Sequence, residues 1–115
     1  MKIEKFEDII AWQKARVLTL DIYRLFGHSK DFGFKDQIQR AAVSVMNNIA
    51  EGFERKTNKE LMLFLYIAKG SCGEVRSMLY IALGLRYITE TDFTKKYDLC
   101  VEISKTLSGF IRSIK

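Results

Sequence analysis

Between the apolar residues of one helical stretch stand Arg40, Ser44, Asn47, Asn48 and Glu51, groups capable of acid–base, hydrogen-bonding and electrostatic work. All lie within QIQRAAVSVMNNIAEG, residues 37–52, and they combine a cation, a hydroxyl, two amides and a carboxylate. On a helix, Arg40, Ser44, Asn47 and Glu51 fall in one continuous strip with Asn48 bordering it. A plain surface helix would carry Lys and Glu at such positions and keep Asn out of its middle, where it is a poor helix former. Three uses fit the set: catalysis, recognition of a partner, or an internal polar layer that fixes packing.

Catalysis lacks its other components. A nucleophile needs an orienting base, and Ser44, Ser71 and Cys72 have no histidine at helical spacing, His28 being the only one in the chain. Metal binding fails on inventory: Cys72 and Cys100 are 28 residues apart, and no Cys-x-x-Cys or Glu-x-x-His pair occurs. The phosphate-binding pattern GxxxxGK[ST] is missing, and Gly70-x-x-Gly73 falls inside a helical stretch. The expectation is therefore a protein that is not an enzyme, with no cofactor, no metal and no small-molecule substrate. The strip then reads as a polar layer of Arg40, Ser44, Asn47, Asn48 and Glu51 with Ser71 and Glu74, in which Arg40 meets Glu74 or Glu51. A buried layer of this kind must satisfy its own hydrogen bonds. Its alternative is an exposed recognition strip.

The elements that must position these residues are helices. Apolar residues at three- and four-residue spacing predict helices over about 8–26, 35–53, 58–87 and 90–114. Gly27 ends the first, and GHSKDFG reads as a loop. Thr57-x-x-Glu60 and Thr89-x-x-Asp92 have the spacing of helix-start boxes. The chain contains no proline, which suits long helices with short polar turns. Four such helices make an all-α, antiparallel up-and-down four-helix bundle, a single domain over residues 1–115. Gly70, Ser71, Cys72 and Gly73 read as a small-residue notch that receives a bulky side chain from another helix.

The helices carry more apolar surface than one bundle buries. Beyond the main stripes lie Leu63, Tyr66, Ile67, Met78, Ile81 and Leu85 in the third helix and Ile9, Trp12, Val17 and Leu20 in the first. A bundle helix needs an apolar face about 100° wide, and surplus apolar surface marks a protein partner. Self-association into a homo-oligomer is the simplest case. No signal peptide and no membrane-length apolar run appears, so a cytoplasmic protein with reduced, buried thiols and no membrane contact is expected.

The net charge is +5, from 19 basic and 14 acidic residues, with no basic tail. Arg55, Lys56 and Lys59 cluster between the second and third helices, and Lys95, Lys96, Lys105, Arg112 and Lys115 lie along the last. These are the candidate phosphate-neutralising groups for RNA or DNA. Glu54, Glu60, Asp98 and Glu102 interleave with them, and no aromatic stacking pattern accompanies them. A solvated helix face is the reading of each taken singly; repetition in a symmetric oligomer would sum them into a basic ring.

The chain resembles the 23S rRNA intervening-sequence proteins, a family of bacterial four-helix bundles, nearly end to end. Phe6-x-Asp8-Ile9-x-x-Trp12-Gln13-x-Ala15 is similar to the family's opening, and QIQRAAVSVMNNIAEG to its central signature. Phe64-Leu65-x-x-Ala68-x-Gly70-Ser71-x-x-Glu74 is similar to its third-helix signature, and Leu85-Arg86-Tyr87-Ile88 to its last turn. The resemblance implies an up-and-down bundle assembling into a ring, typically a homopentamer. It also implies kinship with the accessory variability protein of diversity-generating retroelements, a basic pentamer that works with a reverse transcriptase and nucleic acid. The family defines no catalytic residue, so the resemblance supplies none. The function expected is a binding or scaffold module touching RNA or DNA through a basic surface. The alternative is an accessory factor that binds protein alone.

Overall fold

The computed structural model of the protein describes residues 3–114, all of them helix or connecting segment with no strand. A 3-10 turn at Phe6–Asp8 precedes α1 (Ile10–Phe26), α2 (Phe32–Phe53), α3 (Asn58–Gly84) and α4 (Glu90–Ile114). Short connections force each helix back along its predecessor. Cross-helix contacts follow that direction: the Thr19 hydroxyl reaches the Ala42 carbonyl at 3.1 Å, Ser44 meets Ser71 at 2.8 Å, and Lys96 bonds Asp21 at 2.9 Å. Each helix packs on the next and α4 closes on α1, while α1–α3 and α2–α4 lie across the diagonals without packing together.

The stripes bury as their spacing requires. Leu18, Ile22, Ile38, Val45, Ile49, Leu65, Val75, Leu79, Ile103 and Leu107 are wholly excluded from solvent. Each such side chain contributes about 1.5–3 kcal/mol of transfer free energy. Thr19 is the one buried polar side chain among the described residues, and its hydroxyl is satisfied by Ala15 and Ala42. Met78 and Ile9, counted as surplus from the sequence, belong to the core, and Trp12 is half-buried with its ring edge-on to Phe6.

Helix ends depart from the sequence expectation where local polar groups set them. α2 starts at Phe32 rather than near residue 35, because Asp31 accepts the Phe34 amide at 3.2 Å and caps it. Tyr87 donates to the other Asp31 oxygen at 2.7 Å, tying the α1–α2 turn to the end of α3. The Tyr87 hydroxyl first, then the Phe34 amide, hold the Asp31 carboxyl below its ordinary value. This contribution to stability is present above the unfolded-state value and is lost as pH falls through the depressed one. Thr57 caps α3 through the Glu60 amide, and its hydroxyl also donates to the Glu60 carboxylate at 3.1 Å. Thr89 accepts the Asp92 amide at the start of α4.

α3 ends at Gly84 rather than at residue 87. The Tyr87 amide bonds back to Ala82 O and that of Arg86 to Leu83 O, a Schellman closure whose left-handed position is Arg86, at φ 60°. A side chain there costs about 1–2 kcal/mol. Arg86→Gly is therefore expected to raise the urea unfolding free energy by about 1 kcal/mol, the gain being trimmed by glycine's greater unfolded-state freedom.

Candidate functional site

The strip on α2 divides in two. Ser44 and Asn48 stand on the flank of α2 that meets α3, and both are half-buried. The Ser44 hydroxyl lies 2.8 Å from that of Ser71, and the Asn48 amide donates to the Ser44 carbonyl at 2.8 Å and its hydroxyl at 2.9 Å. No buried side-chain nitrogen or oxygen among the described residues lacks a partner. Within this chain the three side chains bond to one another and to the Ser44 carbonyl, and no acid or base bonds to any of them.

Arg40, Asn47 and Glu51 are exposed and stand outside that network. Arg40 bonds Asp36 at 2.9 Å along its own helix, with a side chain 80% exposed, and meets neither Glu74 nor Glu51. Glu51 bonds Arg55 at 2.7 Å one turn on. Glu74 is exposed and receives only a long bond from Gln37, at 3.4 Å. The expected layer of seven residues is corrected to three within this chain, Ser44, Asn48 and Ser71. The reason is rotational. With Val45 and Ile49 facing the core, Ser44 and Asn48 turn about 100° toward α3, while positions 40, 47 and 51 turn away from the bundle.

The close helix approach is also elsewhere than expected. A Cβ at Gly52 would lie 2.8 Å from Phe64 Cβ and 3.3 Å from the Leu61 carbonyl, so α2 and α3 pass close together there. A Cβ at Gly70, Gly73 or Gly84 would meet nothing within 4 Å. Of the small-residue notch of α3, Ser71 meets Ser44 and Cys72 is buried in the core, so the part that receives no side chain from this chain is its glycine side, Gly70 and Gly73. It opens outward, between Leu63, Tyr66 and Ile67 on one side along the helix and Ile81 and Leu85 on the other. Leu63 is 58% exposed and Ile81 49%. Between residues 63 and 85, Glu74 is the only charged residue on this face. Across the diagonal, α1 presents Ile10, Val17, Leu20 and Tyr23, also exposed.

The candidate phosphate-binding groups do not form one patch. Arg55, Lys56 and Lys59 sit at the α2–α3 turn, at the same end of the bundle as Arg112, while Lys95 and Lys96 are at the opposite end of α4. Seventeen helical residues, or about 25 Å, separate Lys95 from Arg112, with Lys105 between them. Lys96 is structural: it is mostly buried and bonds Asp21 of α1. Arg55 is occupied by Glu51 and lies 4.7 Å over the Phe64 ring. Lys56, Lys59, Lys95, Lys105 and Arg112 are exposed and make no ion pair among the described residues. Lys115 lies outside the described residues.

An aromatic cluster that sequence reasoning missed lies on the α3–α4 seam. Tyr80 packs edge-on to Phe93 (5.0 Å between centroids) and Tyr97 (5.8 Å), and Phe93 stacks on Tyr97 at 5.5 Å. Arg76 lies over the Tyr97 ring at 5.8 Å. The signal was present as two i, i+4 pairs, 76/80 and 93/97, but only the pairing of α3 with α4 brings them together.

Cys72 and Cys100 are free and buried, with the Cys72 thiol donating to the Cys100 carbonyl at 3.2 Å. Contact with Cys72 and burial push the Cys100 thiol far above its ordinary value, while contact with Cys100 draws that of Cys72 down; both thiols are buried, which suits packing. No group of three His, Cys, Asp or Glu among the described residues is placed to hold a metal ion. No described helix is long and apolar enough to cross a membrane.

The fold is similar to that of a crystallised protein from Bacteroides thetaiotaomicron, described as a protein of unknown function from the S23 ribosomal protein family. The TM-score is 0.83 at 24% identity, covering 89% of this chain and 98% of that one. No curated protein sequence matches this chain at a significant level. The 23S rRNA-intervening sequence protein family matches over residues 7–109. Neither description names an enzymatic activity. With that match covering α1 to α3 and most of α4, including both α2 and α3 signatures, the chain belongs to the 23S rRNA-intervening sequence protein family.

Proposed function

We propose that the protein is a non-enzymatic binding or scaffold module that assembles with copies of itself and contacts RNA or DNA through basic groups left outside the contact. The observation that carries this reading is the outward face of α3, some 22 residues or about 33 Å of mainly apolar and glycine surface, broken by Glu74 and Ser77, that no other helix of the chain packs over. Surface of that kind is a protein contact far more often than a solvated face.

The arrangement of faces favours a ring. The apolar faces of α1 and α3 are different surfaces on opposite sides of the bundle, separated by the charged outer faces of α2 and α4. Joining unlike faces is head-to-tail association, which closes into a ring or runs on as a filament. Five copies is the number that the family resemblance implies. In such a ring the bulky α1 side chains lie against the glycine notch of α3, while the outer face of α4 and the α2–α3 turn stay in solvent. Lys56, Lys59, Lys105 and Arg112 are then repeated around it. The polar network of Ser44, Asn48 and Ser71 sets the register of α2 on α3 and takes no part in recognition.

A salt titration tests the nucleic-acid half. Binding of RNA or single-stranded DNA is expected at about 50 mM salt and to fall steeply by 200 mM, as counterion release requires. Lys56→Gln with Lys59→Gln is expected to lower the slope by about one for each cation that touches phosphate. A folded, assembled protein that binds neither polymer at low salt would instead be a purely protein-interacting factor.

A further inference from the structure

We infer that Tyr80, braced by Phe93 and Tyr97 and flanked by Arg76, is a stacking platform for an unpaired base of a single-stranded nucleic acid. The inference rests on the nucleic-acid reading above and gives it a specific site. The three rings meet where Phe93 packs against the core, yet burial alone does not explain the cluster, because Tyr80 remains 56% exposed. Phe93 and Tyr97 fix each other by stacking, so the exposed Tyr80 ring is held by two neighbours rather than free to rotate. A pre-ordered π-face is what a base needs to stack without an ordering cost.

Charge selects the ligand. Arg76 lies over Tyr97 and makes no ion pair with a carboxylate among the described residues. Lys69 stands on the same side of α3 two turns earlier, about 10 Å along the helix. A cationic ligand of the kind aromatic cages hold would be repelled by Arg76, which already occupies the π-face of Tyr97. A strand with flat bases and phosphates between them is complementary to both features. A duplex is not, since its bases are stacked on each other and cannot reach the rings. The platform also accounts for the missing aromatic pattern around the candidate lysines: the stacking groups are on a different flank from Lys56, Lys59 and Lys105.

The test compares a labelled 20-nucleotide oligouridylate or oligothymidylate with a mixed-sequence duplex of equal length. Wild type is expected to prefer the single strand. Tyr80→Leu keeps apolar bulk and removes the exposed π-face. It is expected to weaken single-strand binding about tenfold or more, with duplex binding and the salt slope unchanged. Tyr80→Phe is expected to bind as wild type, which separates stacking from any structural effect of losing the hydroxyl. Arg76→Gln is expected to lower the single-strand slope by about one. Unchanged single-strand affinity in the Leu variant, or equal losses on strand and duplex, would overturn the platform while leaving the basic-surface reading standing. If the Leu variant sediments as a smaller species than wild type, the cluster is a contact between copies and the inference fails. If wild type binds neither polymer, both readings fail together.

Discussion

Gly52→Ala is expected to lower the unfolding free energy by about 2 kcal/mol, read from the midpoint of urea denaturation with the m-value unchanged. A Cβ at this position would sit 2.8 Å from Phe64 Cβ and 3.2 and 3.3 Å from the Leu61 side chain and carbonyl. Phe64 Cβ and the Leu61 carbonyl are fixed to the backbone of α3, so no rotamer change relieves the overlap. The helices must part, and because the overlap is with atoms fixed to the backbone the overpacking cost falls at the upper end of the usual range, about 3 kcal/mol. Alanine's better helix propensity, about 1 kcal/mol, offsets part of that cost. Separation here also works against the Ser44–Ser71 bond, two turns away on the same helix pair. A neutral or stabilising Gly52→Ala would mean that α2 and α3 are not held at this distance.

Gly70→Leu carries the opposite signature. The position is mid-helix and its Cβ direction is open, so nothing in the chain resists the substitution. Within one bundle, replacing glycine by a good helix former is expected to raise stability by about 1 kcal/mol. If the notch receives side chains of another copy, the same substitution fills it and breaks the assembly. Fold stability and self-association should then move in opposite directions: a higher midpoint in denaturant for the dissociated chain, and a loss of assembly of at least a hundredfold in dilution experiments, about 2.7 kcal/mol by the usual conversion. Ile81→Glu, on the same face, is expected to dissociate the assembly and leave helicity intact. A Gly70→Leu protein that is more stable and still fully assembled would place the contact on some other surface.

Much of the fold was legible because helical periodicity and capping are local. The stripe through Val45 and Ile49, the Thr57 and Thr89 caps and the four-helix order all follow from residues within a turn or two of one another. The end of α3 at Gly84 was less legible, since it depends on Arg86 adopting a conformation that arginine seldom takes. Likewise, Asp31 reads as a loop residue until Tyr87, 56 residues later, is seen to hold its second oxygen.

The candidate site was legible only in part, and for a geometric reason. Spacing put Arg40, Ser44, Asn47 and Glu51 on one strip, but spacing does not say on which flank the next helix packs. α3 packs on the Ser44 and Asn48 flank, so those two close a network with Ser71, while Arg40 and Glu51 settle for partners along their own helix. The same ambiguity hid the role of the glycines. Gly52 and Gly70 look alike as small residues in helical runs, yet one lies under Phe64 and the other faces open space. Charge was misleading for a related reason: Lys96 and Asp21 are 75 residues apart, so their bond appears only once α4 lies against α1.

Sedimentation equilibrium of the unmodified chain at micromolar concentration distinguishes an assembling bundle from a solitary one. A self-associating bundle predicts a mass that is an integral multiple of 13.4 kDa, with Ile81→Glu falling to the single-chain value while keeping its helical spectrum. A wild-type protein that sediments as a stable 13.4 kDa monomer would contradict the account, because the outward face of α3 would then be left in water.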